Sequence, residues 1–307
     1  LCPKGPYGTY ILYDPDRFKG PMKRTNPKKG RDEDPKFVPI TWEEALDTVA
    51  ARLNRLREND ESHRFALCFG RGWGASDAGI LDTFGELYGS PNVPIGHSSM
   101  CSDASKLAKQ CTDGNASYNS YDFRHTNYVL SFGANLLDAF RPYNPNMQAW
   151  GYMRGVKVPK TKMVAVDVRL TTTLAAADRG LLIKPATDAA LALAIAHVIL
   201  TEGLWDRAFV GDFHDGVNRF KAGQTVDPES FNEKWVKGLV EWWNIEVKDR
   251  TPTWAAEITT LAERDILETA REFGSTRPAM ALFERGADAH SNGVYNGMAI
   301  HALNALV

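Results

Sequence analysis

Nearly unbroken apolar runs, each about the length of one strand, recur through the second half of this 307-residue chain and alternate with stretches of helical period. NYVLSFGAN (127–135), TKMVAVDVR (161–169), LLIKPATD (181–188) and PAMALFERG (278–286) are the runs. A strand apolar on both faces must be covered on both, so the pattern predicts an α/β fold with parallel sheets flanked by helices. PNMQAWGYMRG supplies one crossover helix, and the third run feeds the long helix AALALAIAHVILTEG. That segment holds His197 and ends in Glu202, so it reads as a buried helix, too short and too interrupted for a bilayer span.

The first 40 residues show little periodicity and are expected to be loops and short extended pieces. Order begins at ITWEEALDTVAARLNRLREN, where Thr41 and Glu44 form a capping box ahead of Ala45, Val49, Leu53 and Leu56 at helical spacing. RFALCFGRGWG reads as a strand entering a Gly-rich turn, ILDTFGELYG as a helix, and a further helix starts near Cys101. A second capping box, Thr260 with Glu263, is expected to start LAERDILETAREF, with Gly274 closing it. The tryptophans at 205, 235, 242, 243 and 254 read as packing.

In such a sheet, ligands bind at the carboxyl ends of the strands. Those ends carry Gly133 and Asn135, Asp167 and Arg169, and Thr187 and Asp188. GRGWG (70–74), GAN (133–135) and GADAHSNG (286–293) offer close backbone approach and free N–H groups, which suits phosphate. None is GxGxxG or a P-loop, but three in one chain point to an extended phosphate-containing cofactor. Asp167 or Asp188 could accept from the N–H edge of guanine; equally, Asp188 could simply cap the helix that follows.

Charge adds one exclusion. With 36 Lys and Arg against 38 Asp and Glu, net −2, the chain has no overall electrostatic pull toward nucleic acid. MKRTNPKKGR (22–31) reads as a solvated basic loop. Four cysteines, at 2, 68, 101 and 111, make no disulfide framework. Cys68 and Cys111 read as core. Cys101, in HSSMCSDASKLAKQC, stands where a helix begins, a position that favours a thiolate; a plain core position is the other reading. His97 and Cys101 have no second ligand pair to make a zinc site.

Taken together these segments resemble the molybdenum bis(pyranopterin guanine dinucleotide) oxidoreductases, the dimethyl sulfoxide reductase family. LCPKG looks like the family's Cys-x-Lys-Gly, YDPDRFKGPMKR and ITWEEALD like the entry to its second domain, and SFGAN, VAVDVR and KPATDAALALA like its guanine-nucleotide motifs. GADAHSNGVYNGMAIHALNALV is similar to the return to the second domain. The resemblance runs the whole length and implies an internal piece of a longer protein. Residues 1–40 would end an iron–sulfur domain and linker, 41–125 begin domain II, 126–277 form a Rossmann-like domain III, and 278–307 return to domain II. Ala186 departs from the family, where many members have Gly before Thr-Asp.

The resemblance assigns roles. Cys2 becomes the last ligand of a 4Fe-4S cluster and Lys4 the residue between cluster and pterin. Cys101 becomes the protein ligand of molybdenum or tungsten. Gly133, Asn135, Asp167, Arg169, Thr187, Asp188, Gly286, His290 and Gly293 become cofactor-binding. MKRTNPKKG and HSSMC are nearest the arsenate reductases and their thiosulfate, polysulfide and tetrathionate relatives, which implies His97, Lys106 and Tyr118 around an oxyanion. Arg71 joins them although GRGWG departs from the usual sequence there. The implied partners are a small oxyanion or sulfur substrate, an iron–sulfur electron-transfer subunit and a membrane anchor subunit. The implied location is the periplasmic or extracytoplasmic face of a bacterial or archaeal membrane. Two rivals predict different things: a metal-free structural relative would have no need of Cys101, Lys106 and His290, and a nicotinamide-dependent α/β dehydrogenase would carry GxGxxG after its first strand.

Overall fold

Every residue of Tyr128–Phe132 is buried, as a central strand covered on both faces must be. The computed structural model describes residues 5–68, 78–95 and 100–307, and the chain divides into two compact units, Leu1–His97 and Ser98–Val307.

The first unit contains α1 (Gly8–Leu12), β1 (Met22–Arg24), β2 (Phe37–Pro39), α2 (Trp42–Glu58), β3 (Ala66–Cys68), α3 (Ala78–Tyr88) and β4 (Asn92–Ile95). β1 pairs antiparallel with β2 and β3 parallel with β4. The start of α2 obeys half of its capping box: the Thr41 hydroxyl accepts from the Glu44 N–H at 3.1 Å, while the Glu44 carboxylate turns to Lys23 Nζ at 2.9 Å. The first 40 residues are not all loop, since Gly8–Leu12 is helical. Nor is the apolar stripe of α2 a core face, with Val49 57% exposed and Leu53 and Leu56 only half-buried. Cys68 is exposed, because β3 shows outward at alternate positions.

The second unit runs α4 (Asp103–Asp113), β5 (Tyr128–Phe132), α5 (Tyr143–Gly151), β6 (Lys162–Asp167), α6 (Thr172–Ala176), β7 (Arg179–Leu182) and α7 (Asp188–Thr201). Then follow β8 (Gly211–Phe213), β9 (Phe231–Glu233), α8 (Leu239–Ile245), α9 (Pro252–Thr259), α10 (Glu263–Ser275), β10 (Ala279–Phe283), α11 (Arg285–Asp288) and α12 (Gly293–Ala302). The strand order is β10-β5-β6-β7, all parallel, with Leu130 facing Ala281 on one side and Val164 on the other. This is the parallel sheet that the apolar runs predict.

α7 lies on the sheet against α9, α10 and α12 and is buried from Ala190 to Leu200. Leu191, Ile195 and Ile199 each contribute roughly 2 kcal/mol through burial. His197, polar in an apolar helix, is satisfied: Nδ1 stands 2.9 Å from the Val247 carbonyl and the ring stacks on Trp243. Burial holds its pKa below the usual value. Trp205 and Trp243 are buried, but Trp235 is 77% exposed and belongs to neither core cluster.

Three local expectations fail here. Thr260 does not begin α10. It sits at φ +68 and its N–H donates to the Ala256 carbonyl, so it closes α9, and α10 starts behind Ala262 without a side-chain cap. Gly274 lies inside α10 and not at its end, where an added Cβ would stand 3.1 Å from Ile199 and Leu204. Cys111 is exposed, because it lies off the Ser105, Ala108, Lys109 face that α4 buries. Among the described residues no helix is long and apolar enough to cross a membrane.

Candidate active site

Cys101 is half-buried in the turn that leads into α4. Its sulfur accepts a hydrogen bond from Arg285 Nε at 3.1 Å. Arg285 opens α11, immediately beyond β10, so the end of a sheet strand delivers the guanidinium to the start of a distant helix. The other nitrogens of that guanidinium are also engaged. Nη2 donates to the Tyr118 hydroxyl at 3.2 Å and Nη1 lies 3.2 Å from Glu284 Oε2. Tyr118 and Ser102 bring their hydroxyls within 2.9 Å.

Cations gather on the Tyr118 ring: Arg141 at 4.6 Å from its centroid, Lys106 Nζ at 5.2 Å and Arg285 at 5.9 Å. Burial pushes the Tyr118 phenol up, but the Ser102 hydrogen bond and the charges of Arg141 and Arg285 outweigh it, and the net shift is down. Lys106 and Arg141 make no ion pair among the described residues. Two cations beside a thiol, neither in an ion pair among the described residues, suit a small anion.

Beneath this lies a sealed ionic layer. Lys109 is fully buried, its Nζ 3.8 Å from Glu284 Oε1 and 5.3 Å from the Phe283 ring centroid. Asp288, also fully buried, accepts from the Ser105 hydroxyl. Burial lowers the pKa of Lys109 against the pull of Glu284 and Asp288. It raises Glu284 despite Lys109 and Arg285, and Asp288 despite Ser105. Lys109 Nζ, Asp288 Oδ1 and Tyr121 Oη have no hydrogen-bond partner among the described residues.

A second cluster, at the ends of β5 and β10, is built from glycine contacts. Gly133 follows β5 at φ +55, and a Cβ there would lie 2.6 Å from the Ala287 nitrogen; a Cβ on Gly286 would meet the Gly133 oxygen at 2.5 Å. Only two glycines let these strand ends close on each other. Gly293, at the head of α12, allows a third such approach, to the Asp288 backbone. Asn135 accepts from the Thr173 hydroxyl at 3.0 Å, half-buried Asp167 from the Val168 N–H at 2.7 Å, and the Thr187 hydroxyl donates to the Lys184 carbonyl at 2.6 Å. Arg169 is exposed.

Asp188 is 3% exposed at the first position of α7, and its Oδ2 lacks a partner among the described residues. Burial raises its pKa to about 7, with Asp167 and Asp288 adding to the rise and His290 opposing it. Asn296 ties this end together: its Oδ1 accepts from the Ala189 N–H at 3.2 Å, and its Nδ2 donates to the Ala287 carbonyl at 2.9 Å and stands 3.0 Å from His290 Nε2.

The structure thus brings Cys101, Lys106 and Tyr118 together at one place and Gly133, Asp188, Gly286, His290 and Gly293 at another, with α11 between. Cys2, Lys4, Arg71 and His97 lie outside the described residues. Arg141, Arg285, Glu284, Lys109 and Asp288 escape the sequence reading. The available signal is LFERGAD, two charges at the mouth of an otherwise apolar strand. A soft sulfur donor, a glycine cradle for phosphate and an orphaned buried carboxyl suit a metal held in a nucleotide-bearing pterin.

Comparison with known proteins supports the pterin part of this. The family model described as molybdopterin oxidoreductase matches residues 17–307. The molybdopterin-containing subunits of arsenate respiratory reductase from Shewanella sp. strain ANA-3 and Chrysiogenes arsenatis are 45% and 44% identical, over 99% and 100% of this chain and 35% and 36% of theirs. The thiosulfate reductase molybdopterin-containing subunit of Salmonella typhimurium is 27% identical over 91% of this chain and 32% of its own. The solved structure of acetylene hydratase from Pelobacter acetylenicus superposes on the whole chain with a TM-score of 0.76 at 24% identity, and shares the fold over 37% of its length. The chain spans about a third of the length of these relatives.

Proposed function

Because the chain belongs to the molybdopterin oxidoreductase family, we propose that it is part of the catalytic subunit of a molybdenum or tungsten bis(molybdopterin guanine dinucleotide) enzyme acting on a small anionic arsenic or sulfur compound. The reaction is a two-electron oxygen-atom or sulfur transfer, with electrons passing singly through a 4Fe-4S cluster that has Cys2 as a ligand. Arsenate is the first substrate on the strength of the two arsenate reductase subunits, with thiosulfate and its relatives second. One observation carries the reading. The Cys101 sulfur is held by Arg285 beside a tyrosine ringed by Arg141 and Lys106.

When bound, the cofactor supplies the two-electron couple and the hard chemistry. Cys101 serves as the metal's protein ligand, a thiolate being the soft donor such a metal prefers. Lys106, Arg141 and Tyr118 draw in and orient the anion, joined through the family resemblance by His97 and Arg71. Their charges matter most as arsenate takes up two electrons and two protons and gives up one oxygen as water, leaving arsenite, because negative charge collects on the departing atom. Gly133, Gly286 and Gly293 let backbone approach the cofactor, and Asp188 offers its orphaned oxygen to the guanine edge. Asn135, Asp167, Arg169, Thr187 and His290 complete that end, and the family resemblance assigns Lys4 the place between cluster and pterin. An iron–sulfur electron-transfer subunit, a membrane anchor subunit and a periplasmic location complete the proposal.

Metal and pterin analysis of the full-length protein tests this. About one molybdenum or tungsten and two guanine-containing pterins per chain are expected, with turnover on arsenate or on thiosulfate, polysulfide or tetrathionate. Stoichiometric NAD, or no organic cofactor, overturns it.

A further inference from the structure

Glu284 is out of place for an ordinary surface acid. It is 7% exposed, the residue between the last strand of the sheet and α11, and each of its oxygens faces a different cation. Oε1 lies 3.8 Å from Lys109 Nζ and Oε2 lies 3.2 Å from Arg285 Nη1. Lys109 has no exposure, and no hydrogen-bond partner for its ammonium among the described residues. Burying such a pair is weak evidence for stability, since the desolvation of both ions offsets their attraction, and specificity of arrangement is the better-attested use.

The arrangement it specifies is that of Arg285. A guanidinium is a rigid planar fork, and its orientation is set once donors on different nitrogens are occupied. In Arg285 all three nitrogens are taken: Nε by the Cys101 sulfur, Nη2 by the Tyr118 hydroxyl and Nη1 by Glu284. Two of those partners, Cys101 and Tyr118, belong to the proposed site. Among the described residues Glu284 holds the fork from behind, and Lys109 on α4 pairs with Glu284 at 3.8 Å.

We propose that Glu284 is a positioning residue: fixed from below by the buried Lys109 ammonium, its carboxylate sets the Arg285 guanidinium against the Cys101 sulfur and the Tyr118 hydroxyl. This rests on the reading of Cys101 as the metal's protein ligand. Glu284 itself touches neither substrate nor metal, and its influence on both passes through Arg285. A carboxylate that merely joins α4 to the end of β10 would act on stability alone.

The test uses the full-length loaded enzyme and the variants Glu284→Gln, Glu284→Asp, Arg285→Gln and the double Glu284→Gln/Arg285→Gln. Metal content, the electron paramagnetic resonance of the half-reduced metal, KM and kcat for arsenate, and the thermal midpoint are measured on each. Glu284→Gln is expected to shift the resonance in the same direction as Arg285→Gln and to raise KM about tenfold, the loss for one charge-assisted hydrogen bond, by more than it lowers kcat. Glu284→Asp recovers part of both effects, and the double variant is no worse than Arg285→Gln alone. An unchanged resonance and KM with a lowered thermal midpoint, or losses that multiply in the double variant, overturn the proposal. If Glu284→Gln does not fold, Lys109→Met/Glu284→Gln removes both buried charges together. The KM and resonance changes must persist in it, and their return to wild-type values overturns the proposal. A wild-type enzyme without molybdenum or tungsten overturns the reading of the site as well, whereas a metal-loaded enzyme indifferent to Glu284 overturns this proposal alone.

Discussion

Arg285 Nε and Cys101 Sγ stand 3.1 Å apart although 184 positions separate them along the chain. A guanidinium on a sulfur stabilises the thiolate and not the thiol, so this contact suits the role proposed for Cys101 as donor to a soft metal. Cys101→Ser in the full-length enzyme therefore leaves the thermal midpoint nearly unchanged, since one atom is exchanged in a half-buried turn, while turnover falls steeply and the metal's spectrum shifts. Full activity with an unaltered spectrum would remove Cys101 from the site.

Lys106 points its charge at the ring of Tyr118 without an ion-pair partner among the described residues. Lys106→Ala is expected to weaken arsenate by about 1.5 to 3 kcal/mol, the range for a hydrogen bond to a charged group. Steady-state KM and inhibition by a non-reducible oxyanion measure this. The metal spectrum stays as in wild type, which separates Lys106 from the ligand set.

Asp188 gives a pH signature. Its carboxyl is raised by burial to about 7 in the folded chain, against about 3.9 in an unfolded one. The fold thus binds the proton more tightly, and this favourable contribution is complete below about pH 4 and lost as pH rises through 7, about 4 kcal/mol in all. Thermal midpoints of cofactor-free protein between these limits should fall with rising pH, and Asp188→Asn should flatten that slope. An identical slope in both proteins assigns the titration elsewhere.

Ala186 occupies the left-handed region at φ +63, where a Cβ costs roughly 1 kcal/mol. Ala186→Gly relieves that strain, partly offset by the greater freedom of glycine in the unfolded chain, and raises stability by up to about 1 kcal/mol. Gly133→Ala does the reverse, forcing a Cβ to 2.6 Å from backbone at positive φ, and lowers stability by about 3 kcal/mol. Denaturant midpoints of the two variants must move in opposite directions.

What the sequence discloses follows from range. The strands β5, β6 and β10 are legible because their apolar residues are consecutive, whereas β7, Arg179–Leu182, holds only the first two residues of the run that announces it. Lys109 and Glu284 are not legible, since a single charged residue in a helix or at a strand end looks like surface until the element packed against it is known. Asp288 and Ser105 meet across 183 positions, a pairing no local period can announce. Thr260 and Glu263 show the opposite error: the capping-box spacing is present, but the Thr260 backbone belongs to the helix before it.

β10 joins β5 at the edge of the sheet only after the chain has laid down everything between Phe132 and Ala279. Pairings of such long sequence separation are slow to form, because the loop they close must lose its entropy first. Arg285 and Asp288 arrive with that strand. In a growing polypeptide the contact between Cys101 and Arg285 therefore forms only after residues near 285 have emerged and docked. A chain arrested before β10 carries the Cys101 sulfur without the Arg285 guanidinium.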